Sequence, residues 1–204
     1  MHGYSAPDVL SEELLRDEEI IWAGQPDRSV HFTSADLYLV PFSLLWGGFA
    51  VVWEIIALVV VISGDTSGVA LIFPLWGMPF VLMGIYLIAG RFAYKNWKKT
   101  RTHYALTPKR ALAITLARGK SVRAAFLDGL PTINKTVGRD GVGTVTFGNP
   151  SWMTQVENTG LDFFGAFGPV TGIDPAVSFY DIPDADRVYE LANDLRRRGS
   201  DAHR

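Results

Sequence analysis

Two runs decide the architecture: LYLVPFSLLWGGFAVVWEIIALVVVI at residues 37–62 and VALIFPLWGMPFVLMGIYLIA at residues 69–89. The first carries a single charge, Glu54, and the second carries none. Each holds the roughly 20 apolar residues that a helix needs to cross about 30 Å of hydrocarbon. Between them lies only the small, polar connector at 63–68. A buried helix of a soluble domain is the other reading of an apolar run, but two such runs back to back are not what a soluble core asks for. Backbone that crosses lipid must satisfy its own hydrogen bonds, so the pair predicts a transmembrane helical hairpin. Trp46, Trp53, Trp76 and Tyr86 are candidate interface anchors, and Pro74 and Pro79 are expected to kink the second helix.

Basic residues set the expected orientation. The connector has no Lys or Arg, whereas Arg91, Lys95, Lys98, Lys99 and Arg101 follow the second run closely. Both termini are therefore expected in the cytoplasm, with Asp65 on the far side of a cytoplasmic (inner) membrane. The start of the chain, with Glu12, Glu13, Asp17, Glu18 and Glu19, is too acidic for a cleaved signal peptide.

The net charge of −2 conceals two opposed halves. Residues 1–36 hold two basic and eight acidic groups, net −6, while residues 90–204 hold seventeen and eleven, net +6. Either the acidic arm folds onto the basic region, or the basic side faces anionic headgroups, and the two are compatible. Cysteine is absent, which excludes disulfides, thiolate catalysis and cysteine metal sites.

Within the arm, Val9, Leu10, Leu14 and Leu15 against the acids predict an amphipathic helix from Pro7 to Ile21, then a short strand and turn through Ile20–Pro26. Beyond the hairpin the period changes to two. Strands are predicted at Thr102–Thr107, Arg110–Leu116, Ser121–Leu127, Thr132–Val137, Gly143–Phe147 and Val177–Ile182, with a tight Asp140-Gly141 turn. Leu112, Ile114 and Leu116 share one strand face. A helix is predicted over Asp184–Arg198, with Val188, Leu191 and Leu195 as its apolar stripe, basic Arg196–Arg198 at its C-terminal end and Gly199 as its stop. The predicted domains are the acidic arm (1–36), the hairpin (37–89), an α+β roll (90–199) with an aromatic insert at 149–176, and a polar tail (200–204).

Four segments also carry a family resemblance. Glu19-Ile20-Ile21-Trp22-Ala23-Gly24-Gln25-Pro26, Tyr104-Ala105-Leu106-Thr107-Pro108-Lys109-Arg110, Asp140-Gly141-Val142-Gly143-Thr144-Val145-Thr146-Phe147-Gly148 and Phe179-Tyr180-Asp181-Ile182-Pro183-Asp184 resemble, in order, the conserved segments of bacterial membrane proteins with a pleckstrin-homology-like domain. The resemblance covers most of residues 15–198. It implies a roll of about seven antiparallel strands capped by a C-terminal helix and tethered to the membrane. Its motifs are structural rather than catalytic, and it implies no settled biochemical activity.

Chemistry-bearing patterns are sparse. His2, His31, His103 and His203 have no partner at metal-ligand spacing, and Gly138–Gly143 lacks the Gly-Lys-Ser/Thr ending of a phosphate loop. There is no Gly-x-Ser-x-Gly elbow. No cofactor and no enzymatic activity are expected. The acidic arm and the lack of an aromatic-basic pattern disfavour nucleic acid. Three candidate sites remain. Glu54 is an intramembrane acid, whose options are a Trp76 donor, a protonated carboxyl, a partner subunit, or snorkelling to the outer face. Lys109, Arg110, Arg118 and Lys120 are candidate lipid-phosphate contacts. Trp152, Met153, Phe163, Phe164 and Phe167 are candidate contacts with a partner or the membrane. The expected function is a non-catalytic membrane protein whose roll docks a membrane-protein partner, as an accessory or assembly subunit, or a second copy of itself. Anionic-lipid recognition is the alternative, and a small transporter or enzyme comes third.

Overall fold

A computed structural model describes residues 10–30, 32–33, 35–64, 68–117, 119–138, 140–150, 158–161 and 176–202. The two apolar runs form helices α1 (Asp36–Ile62) and α2 (Gly68–Ile85). A single π-helical turn (Tyr86–Gly90) joins α2 to α3 (Arg91–Lys99). Both helices are long and apolar enough to cross a membrane, and only 17% of each apolar window is buried within the protein. Leu37, Leu45 and Ile62 are each more than 70% exposed, an amount of open apolar surface that water does not tolerate.

The hairpin packs through small residues. Ser43, Gly47, Ala50 and Ala57 are buried on α1, and a Cβ added at Gly84 would lie 2.9 Å from the Gly47 Cα. Without a hydrophobic force between helices in lipid, such close backbone approach supplies the attraction. Trp46–Phe80 and Trp53–Phe73 ring contacts, at 6.0 and 6.5 Å, flank this seam. The second helix outruns its expected end at residue 89. It carries on through the nine residues of α3, because nothing in Arg91–Lys99 breaks it and its basic face finds partners described below.

Seven strands follow the expected positions closely. They are β1 (Trp22–Gly24), β2 (Thr102–Leu106), β3 (Arg110–Thr115), β4 (Ser121–Phe126), β5 (Ile133–Val137), β6 (Gly143–Phe147) and β7 (Val177–Ile182). All pairings are antiparallel, but the strands form two sheets, β1-β2-β3-β4 and β5-β6-β7, rather than one. The sheets face each other across Phe179, which stacks on Tyr104 at 4.7 Å and on Trp22 at 5.7 Å, and meets Phe147 edge-on at 4.9 Å. The Tyr180 N–H donates to the Tyr104 hydroxyl at 3.1 Å and ties β7 to β2.

In the four-stranded sheet, β2 and β3 are buried on both faces. Ala111 and Ala113 look inward, where the large rings of the other strands need room. Leu112 and Ile114 look outward and are covered by Leu10, Leu14 and Ile20 of the arm. Of the arm's described residues only Leu10 and Ser11 are helical, and turns at 12–13 and 16–17 replace the rest of the expected helix. Asp17 has φ +67°, and the Glu18 carboxylate is drawn onto β3 instead of lying along a helix.

Helix α4 (Ala185–Ala202) closes the core. Its fully buried residues are Ala185, Val188, Ala192 and Leu195, with Leu191 only partly buried at the edge. Val188 and Leu195 face the core as expected, while Ala192 takes the place expected of Leu191, because the small alanines let the helix sit close to β5 and β6. Gly199 does not end the helix. A glycine weakens a helix by about 1 kcal/mol, and terminates it only where it adopts positive φ, which Gly199 does not.

Candidate functional site

The densest polar cluster among the described residues lies where the hairpin meets the strands. Arg91, Lys95 and Lys99 recur every four residues, so they share one face of the helix leaving α2. All three are buried. Arg91 pairs with Asp36 at the start of α1, with both groups buried, and its Nε donates to the Leu87 carbonyl at 2.8 Å. Asp36 in turn accepts from the Thr33 N–H at 2.6 Å and the Thr33 hydroxyl at 2.8 Å, which fixes the turn leading into α1.

At the other end of the ladder, Lys99 Nζ lies 2.8 Å from Asp181 on β7 and donates to the Asp27 and Val30 carbonyls at 2.7 and 2.6 Å. Asp181 adopts φ +52°, a conformation that costs a non-glycine residue about 1 kcal/mol or more. Its backbone carbonyl takes the Asp27 N–H at 2.6 Å, and its carboxylate also accepts from the Asn158 amide at 3.2 Å.

The turn at 158–161 seals this junction. The Tyr86 hydroxyl donates to the Gly160 carbonyl at 2.5 Å. Gly160 has φ +82° and sits so near the helix that a Cβ would lie 2.5 Å from the Arg91 carbonyl oxygen. Asp36, Arg91, Lys95, Lys99 and Asp181 thus weld the hairpin to the strands. An adjoining cleft lined by Lys98, Thr102, Thr115, Arg123 and Ser178 has a volume of about 30 Å³, room for a water or two and not for a small-molecule ligand.

The candidate lipid contacts are mostly engaged. Arg110 grips both oxygens of Glu18, with Nε–Oε1 at 3.0 Å and Nη2–Oε2 at 2.9 Å, and also donates to the Glu13 carbonyl at 2.7 Å. Burial alone would raise the Glu18 carboxyl. Hydrogen bonds from Arg110, the Leu15 N–H and the Thr107 hydroxyl outweigh that and bring it down to about 2. Lys120 bridges Glu13 at 2.6 Å and Glu12 at 3.0 Å, and those bonds, Glu13's first, raise its ammonium above the ordinary lysine range. Lys109 is exposed. Arg118 and the aromatic candidates Trp152, Met153, Phe163, Phe164 and Phe167 lie outside the described residues.

Glu54 sits in the α1–α2 seam facing Gly77, not at Trp76, which is 69% exposed. His103 belongs to β2, where the Gln25 side chain meets its Nδ1 at 2.9 Å and burial lowers its pKa. Among the described residues no group of three His, Asp or Glu side chains is arranged to hold a metal.

The ladder escaped the sequence reading, which placed these basic groups at the lipid surface. The signal was the four-residue spacing of Arg91, Lys95 and Lys99 together with an aspartate, Asp36, at the mouth of the first run. Edge strand β4 carries the other feature of note: Val122 and Phe126 are 38% and 53% exposed on a strand that, among the described residues, pairs only with β3. No family model, no curated protein and no solved structure matches this chain.

Proposed function

We propose that the chain is a non-catalytic integral membrane protein in which a pleckstrin-homology-like domain on the cytoplasmic side docks a membrane-protein partner, as an accessory or assembly subunit. The observation that carries this reading is the buried ladder from Asp36 through Arg91 and Lys99 to Asp181. A domain clamped to its membrane anchor holds its surface at one height and angle above the bilayer. Docking a neighbour in the same membrane uses that fixed geometry, whereas sampling lipid or ferrying substrate does not.

Two further features favour protein over lipid as the ligand. Arg110 and Lys120 are already neutralised by the arm, which removes two of the four groups suited to phosphate. Among the described residues β4 is an edge strand, and its exposed Val122 and Phe126 suit an added strand. Gentle-detergent purification of the full chain, with mass spectrometry of what accompanies it, tests the reading. Serine at Val122 and Phe126, or at Phe163 and Phe164, should release a protein that the unaltered chain retains, while charge reversal at Lys109 should not. Salt-sensitive binding of the full chain to anionic lipid, lost on reversal at Lys109 with no protein ever retained, would instead establish lipid recognition. The proposed orientation places residues 95 and 204 in the cytoplasm and residue 66 outside. Reporter fusions at those three positions check it, and a cytoplasmic signal at 66 refutes it.

A further inference from the structure

The hairpin seam contains one residue that does not belong to its chemistry. Along α1 the buried positions are Ser43, Gly47, Ala50 and Ala57, in alternating steps of four and three, and Glu54 occupies the next place in that rhythm. The facing position on α2 is Gly77. A Cβ there would lie 2.1 Å from Glu54 Oε2 and 3.2 Å from the Trp53 ring, so the missing side chain is the space that the carboxyl fills. Oε2 is wholly buried and has no hydrogen-bond partner. No donor among the described residues reaches either oxygen, and Oε1, unlike Oε2, is not enclosed, so the residue as a whole is half-buried and offers Oε1 to a partner from outside. Helix α2 has no ionisable side chain, and the others on α1 are Asp36 and Tyr38 at its opposite end.

A carboxyl in hydrocarbon without a donor costs several kcal/mol. The hairpin supplies no partner and has room for none at Gly77, so the partner must come from outside. A second copy of this chain meets that requirement without any further fitting. Copies inserted the same way and related by a twofold axis along the membrane normal present their Glu54 residues at the same depth. An unrelated span would need a donor placed at that level by chance.

We infer that this chain self-associates through its hairpin, with Glu54 of one copy hydrogen-bonded to Glu54 of the other. The O–H of one carboxyl donates to an oxygen of its mate, and no bond is broken or made beyond that. The inference is independent of the docking proposal, which concerns the other end of the molecule.

The test uses the full chain. Cysteine is absent, so Ser63→Cys gives a single exposed labelling position at the far end of α1. Donor- and acceptor-labelled protein is co-reconstituted in phosphatidylcholine vesicles, and energy transfer is followed against lipid dilution. The unaltered seam should show transfer that survives dilution. Glu54→Gln should keep the transfer, since a pair of amides can hydrogen-bond across the same contact. Glu54→Leu should weaken association about tenfold, the scale of a 1–2 kcal/mol hydrogen bond between spans. The Gln variant keeps the test decisive even if the Leu variant fails to fold. Association of the Leu variant equal to that of the parent, a Gln variant that loses the transfer, or a parent that is monomeric at every dilution would each overturn the inference. The last result would assign the carboxyl to a donor on a different protein's span.

Discussion

Replacing Glu18 with glutamine tests how the arm is held. The carboxylate is buried against β3, with Arg110, the Leu15 N–H and the Thr107 hydroxyl all donating to it. Lowering a glutamate from 4.5 to about 2 corresponds to about 3 kcal/mol of stabilisation at neutral pH, at about 1.36 kcal/mol for each pH unit. The folded-state value is the depressed one. The stabilisation is therefore complete above 4.5 and fades as the pH falls from there toward 2. Hydrogen exchange of the full chain in detergent reads this directly at Leu15, whose N–H bonds Glu18, and at Ile21, whose N–H bonds the Leu106 carbonyl at 2.9 Å. In Glu18→Gln these amides should exchange about 150-fold faster at pH 7, which is 3 kcal/mol of easier opening. The gap between variant and parent should close as the pH approaches 2, because the parent's own carboxylate is then protonated. The Arg110→Met change should add much less to Glu18→Gln than it does alone, since both act on one pair. A gap that stays constant from pH 7 to pH 2.5, or arm amides that exchange alike in parent and variant, would show that the arm is held by Leu10 and Ile20 alone.

The junction and the closing helix yield two more expectations. Arg91→Met leaves Asp36 buried and unpaired and should destabilise by about 3–5 kcal/mol, whereas Arg91→Met with Asp36→Leu should recover most of that loss; thermal unfolding in detergent checks both, and equal losses would mean that the pair does not hold the junction. Val188→Asp should cost about 2–5 kcal/mol through lost packing and a buried charge, Leu191→Asp less, and Arg197→Asp almost nothing. A ranking with Leu191 above Val188 in the same melts would contradict the packing of α4.

What could be read from the chain alone is what depends on neighbours in sequence. Helix α1 begins one residue before its apolar run does, because covering 30 Å of lipid demands a length that composition displays directly. The six later strands lie where alternation and the Asp140-Gly141 turn put them, because strand period and turn chemistry are local. The opposed charges of the arm and the later region also foretold that the two would meet. Which groups met did not follow. Glu18 and Arg110 are 92 residues apart, and Asp36 and Arg91 are 55 apart, so no periodicity links them. Five basic residues after a span look alike in sequence. Only the fold sends Arg91, Lys95 and Lys99 inward to Asp36 and Asp181, because those carboxylates arrive from the first helix and the last strand. Which face of β3 meets the other sheet was not legible either: the Leu112 and Ile114 face is covered by the arm, since Phe147 and Phe179 claim the space over its alanines. Glu54 shows the division most clearly. Its sequence marks an acid out of place in lipid, and only the packing of α1 on α2 puts it opposite a glycine, where nothing within the hairpin can satisfy it.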